Sequence, residues 1–137
     1  MSKYNKFLQL LKANETYEII AQDKICLLKN VKIIDVCNNS NYDFKTSANI
    51  AYEVKCDHAS NKTNNFFIEF SGYNKPSGIS ISKANYYILS NTTTYYLIDI
   101  DILKNICKNK RVVNLKDGSS SGFVIPCDEI IIHSIFI

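Results

Sequence analysis

The sequence predicts an α/β fold in which a mixed central β-sheet is flanked by helices and forms a single compact domain. The main evidence is the order of the segments: a helical pattern, a meander of short strands, and then helices alternating with strands. The chain has 137 residues, of which 46% are hydrophobic, so it can bury one core. No linker or internal repeat divides it, and residues 1–137 are therefore treated as one domain.

Apolar residues recur at helical spacing near the start of the chain and predict two consecutive helices. The first covers residues 3–13, and Asn14 is expected to cap a second helix over residues 15–23. Two shorter helices are expected downstream. They are a helix that ends at Leu89 and is capped by Ser80 or Ser82, and another that covers residues 101–108.

β-Branched and aromatic residues at alternating positions predict the strands. Turn-forming residues separate some of them, at residues 38–41, 72–78 and 117–122. Residues 128–137 fit either a strand or a helix, and their apolar side chains either complete the core or meet another subunit. The predicted strands cover residues 31–36, 42–46, 49–56, 66–70, 94–100, 111–115 and 123–126.

Two neighbouring strands carry a charged pattern that indicates a metal-dependent nuclease centre. Side chains of a strand alternate between its faces, so Glu53 and Lys55 project to the same side, about 6.6 Å apart along the backbone. Tyr52 and Val54 then point to the core. The connection before this strand is short enough for the preceding strand to return antiparallel, which places Asp43 beside Glu53. Two carboxylates at one point are hard oxygen ligands of the kind that Mg²⁺ prefers.

These residues resemble the motifs of the PD-(D/E)XK nuclease superfamily, which includes the Holliday junction resolvases. The similarity covers about residues 40–90 and is strongest with small phage-type and viral-type members, while Tyr42 stands where the family usually has proline. The resemblance implies a restriction endonuclease-like fold and a phosphodiester hydrolase. It is carried by Asp43, by Glu53-Val54-Lys55, and by residues 62–69 and 75–84.

The resemblance also implies roles for the central residues. Asp43 and Glu53 are expected to bind Mg²⁺ or Mn²⁺, and the backbone carbonyl of Val54 is expected to supply a further ligand. Lys55 is expected to orient or deprotonate the attacking water and to offset the charge of the transition state. The alternative for this group is an exposed polar strand face with a surface ion pair, which would contribute little to stability.

Two further acidic residues are weaker metal ligands in this interpretation. Glu69 alternates with apolar residues on its strand, so it is either a solvated strand residue or a group beside the metal. Glu18 lies in the N-terminal helical region, where several resolvase-like relatives carry an extra acidic residue that aids the metal site. An exposed helix residue explains Glu18 equally well, and Glu15 lies on nearly the same helix face.

Several polar residues are expected to contact DNA, with a solvated surface residue as the alternative for each. Lys83 would reach a phosphate after the turn that contains Ser77, and Lys62 and Asn64 lie in a polar loop that could follow the DNA backbone. The net charge of +3, with Arg111 as the only arginine among 16 basic residues, permits a DNA partner without requiring one.

The cysteine content and the hydropathy of the sequence indicate the cellular compartment. Five cysteines form an odd set without a Cys-x-x-Cys pair, which argues against a disulfide framework and against a zinc site. No apolar run is long enough to cross a bilayer, and the N-terminal segment lacks the pattern of a signal peptide. We therefore expect a cytoplasmic protein without membrane association, and a phage or viral origin is compatible with the resemblance.

The sequence as a whole predicts a Mg²⁺-dependent DNA endonuclease. A chain of this size has little surface left for reading base edges, so cleavage is expected to be directed by DNA structure or to be weakly sequence-specific. One alternative is a Holliday junction resolvase, which needs two active sites and hence a homodimer. Another alternative is a catalytically inactive module that binds nucleic acid.

Overall fold

Two β-sheets and four helices make up the fold in a computed structural model that describes residues 2–37, 41–115 and 117–137. The turn predicted at residues 38–41 lies outside these ranges except for its last residue. A turn of 3-10 helix spans Gly78–Ser80. The helices are α1 (Lys3–Lys29), α2 (Ser60–Thr63), α3 (Ile100–Cys107) and α4 (Cys127–Ile132). The strands are β1 (Ile33–Val36), β2 (Phe44–Thr46), β3 (Ala51–Cys56), β4 (Asn65–Gly72), β5 (Lys75–Pro76), β6 (Tyr86–Ser90), β7 (Tyr95–Asp99), β8 (Arg111–Asn114), β9 (Ser121–Pro126) and β10 (Ile135–Phe136).

The first sheet has six strands in the order β1-β2-β3-β6-β7-β10. The β3–β6 pair is parallel and the other neighbouring pairs are antiparallel, so the sheet is mixed, as predicted. A second sheet contains four antiparallel strands in the order β5-β4-β9-β8. The strand pattern of the sequence did not foresee this division, because alternation identifies strands without saying which of them pair.

Each face of the six-stranded sheet packs against different elements. On one face, α1 buries Ala21 and Ile25 against β2, β3 and β6. Tyr52 and Val54 belong to this core, as predicted, so the intervening Glu53 points to the opposite face. That opposite face packs against the second sheet, α3 and α4. This second core includes Phe66, Tyr87, Leu103, Ile125 and Ile130.

α1 is one continuous helix, which corrects the prediction of two helices separated at Asn14. Ser2 caps its start, since the Ser2 hydroxyl accepts a hydrogen bond from the N–H of Asn5 at 3.2 Å. The helix ends at Asn30, which adopts the left-handed conformation with φ of 52°. Asn14 lies inside the helix, where packing of the helix as a unit outweighs its preference for a cap.

The helix predicted to end at Leu89 is wrong, because β6 (Tyr86–Ser90) occupies its C-terminal part. A contiguous apolar run fits a buried strand as well as a buried helix, and pairing with β3 decides between them. Neither predicted cap serves a helix of this segment. Ser80 ends the 3-10 helix, and the Ser82 hydroxyl accepts a hydrogen bond from the N–H of Ala84 at 3.2 Å.

The segments predicted as loops, and the segment that fits either a strand or a helix, contain more regular secondary structure than predicted. Residues 72–78 form a tight hairpin between β4 and β5, in which Tyr73 and Asn74 both have positive φ, of 50° and 61°. The predicted loop at residues 117–122 already enters β9 at Ser121. Residues 128–137 contain both expected alternatives, a helix (α4) followed by a short strand (β10).

The start of α3 differs from the prediction by one residue. The helix predicted at residues 101–108 begins at Ile100, since the Asp99 carboxylate caps it by accepting hydrogen bonds from the N–H groups of Asp101 and Ile102. Among the described residues, no helix is both long and apolar enough to cross a membrane. The five cysteines are free thiols.

Candidate functional site

The site forms where β2 ends and leaves the next part of β3 without a strand neighbour on that side. β2 pairs with β3 only at Ala51 and Tyr52. Just before β2, the N–H of Asp43 donates to the carbonyl oxygen of Tyr52 at 2.9 Å, and the Asp43 carboxylate accepts a hydrogen bond from the N–H of Val54 at 2.7 Å. Because the N–H and C=O of a strand residue point to the same neighbour, the Val54 carbonyl also faces this side.

Glu53 and Lys55 lie on one face of β3 and contact each other. The Lys55 ammonium is 3.2 Å from one carboxylate oxygen of Glu53. The other oxygen, Oε2, is buried and has no hydrogen-bond partner among the described residues. Glu53 is only 9% exposed, so the predicted solvated strand face does not apply to it. A buried carboxylate oxygen without a partner is costly and is a position where a ligand would be favourable.

Helix α1 brings a further carboxylate, that of Glu18, beside Asp43. Glu18 lines a cavity of about 220 Å³ together with Asp43 and Lys55. Glu15, the competing residue on the helix, is exposed and does not line this cavity. The other lining residues are Asn14, Tyr17, Val54 and Cys56.

The carboxylates of Glu18, Asp43 and Glu53 and the ammonium of Lys55 lie close enough to shift one another's pKa values. Burial, followed by the charge of Asp43 and a hydrogen bond with it, raises the pKa of Glu18 to about 7. Burial and the charge of Asp43 raise the pKa of Glu53 to about 7, although Lys55 opposes this shift. Burial also raises the pKa of Asp43, although the Val54 N–H, Lys55 and Glu18 counteract it.

Lys55 remains a cation in this setting. Desolvation by itself would lower its pKa, but the nearby carboxylates of Glu53, Asp43 and Glu69 outweigh desolvation and raise it. Its side chain is 47% exposed, so the ammonium can reach both Glu53 and a bound substrate. A charged lysine is suited to stabilising a phosphate and a water, and less suited to removing a proton from that water.

The oxygen atoms at this cavity fit Mg²⁺ or Mn²⁺ chemically. Within the described residues, no group of three or more His, Cys, Asp or Glu side chains is drawn together as a finished metal cage. The unpartnered oxygen of Glu53 and the raised pKa values of Glu18 and Glu53 nevertheless mark a surplus of negative charge that a divalent cation would offset. Carboxylate and carbonyl oxygens are the ligands that these hard cations prefer.

Glu69 occupies a different environment from the other carboxylates. The Ser77 hydroxyl donates to one of its oxygens at 2.9 Å, and the Ser120 hydroxyl donates to the other at 2.5 Å. Glu69 lines a second cavity, of about 200 Å³, with Lys55, Tyr87 and two β4 neighbours, Phe67 and Ile68. Lys55 lines both cavities, whereas Glu69 does not line the first.

The predicted DNA-contacting residues lie outside both cavities. Lys62 and Lys83 are exposed, and Asn64 ends α2 in the left-handed conformation with φ of 56°. The backbone N–H of Lys83 donates to the carbonyl oxygen of Asn41 at 2.7 Å. The Ser77 hydroxyl is already bonded to Glu69. Their contact with DNA stays a prediction.

Two residues near the site escaped the sequence reasoning. Tyr87 pairs with Glu53 across the parallel strands, and Ser120 holds Glu69 from a position 51 residues away in the chain. Aligning Tyr87 with Glu53 would have required both a strand at residues 86–90 and its parallel pairing with β3, and no sequence signal marks Ser120. Comparisons with protein-family models, with characterised proteins and with solved structures gave no match.

Proposed function

We propose that this protein is a metal-dependent deoxyribonuclease of the restriction endonuclease-like fold. The observation that carries the proposal is that Glu18, Asp43 and Lys55 line one cavity, and that Glu53, next to Val54 on β3, contacts Lys55 and lies close enough to raise the pKa of Glu18. Perturbed carboxylates beside a lysine in a cleft are typical of catalytic sites. The order of Asp43 and Glu53-Val54-Lys55 along the chain agrees with the motif of the PD-(D/E)XK superfamily.

Each residue has a defined role in this proposal. Asp43, Glu53 and the Val54 carbonyl would hold Mg²⁺ or Mn²⁺, with Glu18 as an additional ligand from α1. The bound cation would supply Lewis acidity toward the scissile phosphate and lower the pKa of a water. Lys55, held by Glu53 at 3.2 Å, would orient that water and offset the negative charge that develops on the phosphate.

DNA is the proposed substrate, cut with structural rather than strong sequence preference. The protein has a net charge of +3, and Lys62, Asn64, Lys83 and the loop at Ser77 offer groups that could contact phosphates. These are too few to read a long base sequence through the major groove. Cleavage is therefore proposed to depend on DNA shape or on weak sequence features.

A Holliday junction resolvase acting as a homodimer is the second candidate function, and a specific surface favours it. β10 forms one edge of the six-stranded sheet, and its Ile135 and Phe136 are 59% and 65% exposed. Ile132, just before it, is 77% exposed. An exposed apolar edge strand is a surface at which a second copy could pair. Light scattering that gives a monomer at tens of micromolar would exclude this version and leave the nuclease intact.

The decisive experiment is a cleavage assay with three substrates: supercoiled plasmid, a four-way junction and single-stranded DNA. Each is incubated with Mg²⁺, with Mn²⁺ or with a chelator. We expect cleavage with either metal and none with the chelator, and Asp43→Ala serves as the inactive control. Binding of DNA without metal-dependent cleavage would contradict the nuclease and favour a catalytically inactive nucleic-acid-binding module.

A further inference from the structure

Phe67 on β4 lies between two cavities that lead away from the proposed metal site. With Lys55 it lines the second cavity, of about 200 Å³, and with Arg111 it lines a third cavity, of about 180 Å³. Lys55 also lines the first cavity, together with Asp43. Shared lining residues therefore connect the three cavities in a row, from the proposed metal site to Arg111.

The Phe67 ring lies on the outer face of the second sheet. Phe66 and Ile68 pack in the core between the sheets, so the intervening Phe67 projects to the opposite face. There its ring meets the neighbouring strand β9 at Gly122, where an added Cβ atom would lie 2.5 Å from the tip of the ring. The absence of a side chain at Gly122 gives the ring its place, and Phe67 stays half-buried. A half-buried aromatic ring on a sheet face is a surface on which a base can stack.

Arg111 on β8 projects from the same face as Phe67. It pairs with Val124 on β9, and Val124 pairs with Phe67 on β4, so the three residues are aligned across the sheet. Two strand spacings, about 10 Å, separate the backbones of Phe67 and Arg111. Arg111 is exposed, and its guanidinium forms no ion pair with a described residue. An exposed guanidinium near an aromatic ring fits a phosphate next to a stacked base.

The two carboxylates beside these cavities are compensated within the fold. Glu69 accepts a hydrogen bond from a serine hydroxyl on each of its oxygens. Asp57 accepts hydrogen bonds from the N–H of Ser60 at 3.1 Å and from the N–H of Phe67 at 2.9 Å. Because Arg111 has no carboxylate partner among the described residues, the far end of the row of cavities favours an anion.

We propose that Lys55, Phe67 and Arg111 form a track for an unpaired strand of DNA. The strand enters the proposed metal site at Lys55, stacks one base on Phe67 and places a neighbouring phosphate on Arg111. This inference rests on the proposed nuclease function and defines its substrate more closely, as DNA with an unpaired segment next to the scissile phosphate. A continuous duplex does not offer a base to Phe67, because its bases are stacked on one another.

The chain contains a matched control for the ring of Phe67. Phe70 lies on the same strand and is also half-buried, but it projects to the core side, where its ring packs against Phe123 at 4.7 Å between centroids. Phe67→Leu and Phe70→Leu each replace one half-buried ring by an aliphatic side chain. An effect of general packing should therefore appear in both variants, and a loss of base stacking only in Phe67→Leu.

The first test measures binding by fluorescence anisotropy in the presence of Ca²⁺. The probes are a labelled single-stranded oligothymidine of about 12 nucleotides and a duplex hairpin of the same length. Phe67→Leu is expected to weaken oligothymidine binding about 10-fold and to leave duplex binding unchanged. Phe67→Tyr, which keeps the ring, and Phe70→Leu should both bind as the wild type does. The track is overturned if the wild type does not bind oligothymidine, or if Phe67→Leu and Phe70→Leu lose affinity equally.

The second test examines Arg111 through the salt dependence of oligothymidine binding. Each phosphate that a protein neutralises on a single strand contributes about 0.7 to the slope of log affinity against log salt concentration. Arg111→Gln should reduce this slope by about 0.7. Lys104→Gln, an exposed change on α3 outside the three cavities, should leave it unchanged. Because Arg111 is exposed, this test remains decisive even if Phe67→Leu does not fold, and an unchanged slope would overturn the track.

Cleavage assays with Mg²⁺ separate the failure of this inference from the failure of the proposed function. A protein that shows these binding effects but cleaves no DNA would reject the nuclease and leave the track standing. A protein that cleaves single-stranded DNA at the same rate with and without Phe67→Leu and Arg111→Gln would retain the nuclease and overturn the track. Tighter binding of oligouridine than of oligothymidine would overturn DNA as the occupant.

Discussion

Two glutamates flank Lys55 in this protein, and the fold treats them differently. Glu53 has one oxygen on Lys55 and one buried oxygen without a partner, and its pKa is raised to about 7. Glu69 has a serine hydroxyl on each of its oxygens. The Glu69 carboxylate is satisfied by the protein alone. The Glu53 carboxylate is incompletely satisfied, which is the condition expected of a group kept for a ligand.

The local backbone creates this difference. Gly78 has φ of +53°, and a side chain there would collide with the backbone of Glu69, so glycine lets the 3-10 turn approach and bring Ser77 to the Glu69 carboxylate. The described residues place no such hydroxyl on Glu53, whose contact is the Lys55 ammonium. One carboxylate thus becomes part of the scaffold, while the other keeps one buried oxygen without a partner among the described residues.

The largest expected effect is that of Lys55→Ala, which should lower the cleavage rate by about 10³-fold. Lys55 is assigned to the attacking water and to the charge that develops on the phosphate, so DNA binding and Mn²⁺ binding should be largely retained. A plasmid-nicking assay gives the rate, and filter binding in the presence of Ca²⁺ gives the affinity. Wild-type cleavage by Lys55→Ala would reduce Glu53-Val54-Lys55 to a structural strand pattern.

The next largest effect is expected at Asp43, a proposed metal ligand, in comparison with Glu69, whose carboxylate is held by two serine hydroxyls. Asp43→Ala should weaken Mn²⁺ binding by about 10- to 100-fold along with the loss of activity, because it removes a carboxylate ligand and frees the N–H of Val54. Glu69→Gln should leave Mn²⁺ affinity close to the wild-type value. Calorimetric titration measures both. Equal losses for the two variants would show that Asp43 and Glu69 do not divide into ligand and scaffold as their contacts indicate.

The sequence could predict the residues of the site better than their surroundings. Glu53 and Lys55 are identifiable because strand alternation places them on one face of β3, where they contact each other, while Tyr52 and Val54 pack in the core under α1. Asp43, just before β2, follows from the short antiparallel connection to β3. Glu18 could be named only as one of two helix acids, since its approach to Asp43 depends on how α1 crosses the sheet. Tyr87 was missed because its segment has no decisive period, and the parallel pairing of β6 is a long-range event.

The division into two sheets could not be predicted from local sequence patterns either, because it depends on long-range strand pairing. The strands of the second sheet were each foreseen except β5, but their pairing joins residues far apart in the chain, as β4 with β9. Ser120 illustrates the consequence, because its hydrogen bond to Glu69 exists only once that pairing has formed. The turn residues near residue 120 predict a loop, and the pairing of β9 with β4 brings Ser120 of that loop to Glu69.

A smaller effect concerns stability and pH in the absence of divalent metal. The folded-state pKa values of Glu18 and Glu53, about 7, lie above their ordinary value, so the folded protein binds more protons than the unfolded chain. The stability that these groups contribute is present below about pH 4.5 and is lost as pH rises through 7. The melting midpoint should therefore fall by several degrees between pH 5.5 and pH 8.

This pH dependence can be measured by circular dichroism, since the chain has no tryptophan to report by fluorescence. Glu18→Gln should flatten the decline, and Mn²⁺ added at pH 8 should restore the midpoint, because the cation offsets the same charges. Glu15→Gln, an exposed change on the same helix, controls for general loss of charge. A midpoint that rises toward pH 8 without metal would contradict the crowding of carboxylates at this site.

The smallest effect on function is expected from Ser120→Ala, which acts on the scaffold side of the comparison. Ser120 is 8% exposed, and its hydroxyl donates to the Glu69 carboxylate. Removing the hydroxyl leaves one oxygen of this half-buried carboxylate without its donor. The free energy of unfolding should fall by about 1.5 kcal/mol, as for a hydrogen bond to a charged group. Ser71→Ala, on the same strand as Glu69, provides the control.

Cleavage should stay within about threefold of wild type, because Ser77 still holds Glu69 and the proposed ligands at the first cavity are unchanged. A loss of activity as large as that of Asp43→Ala, without a matching loss of stability, would place Glu69 among the ligands and remove the distinction between the two glutamates.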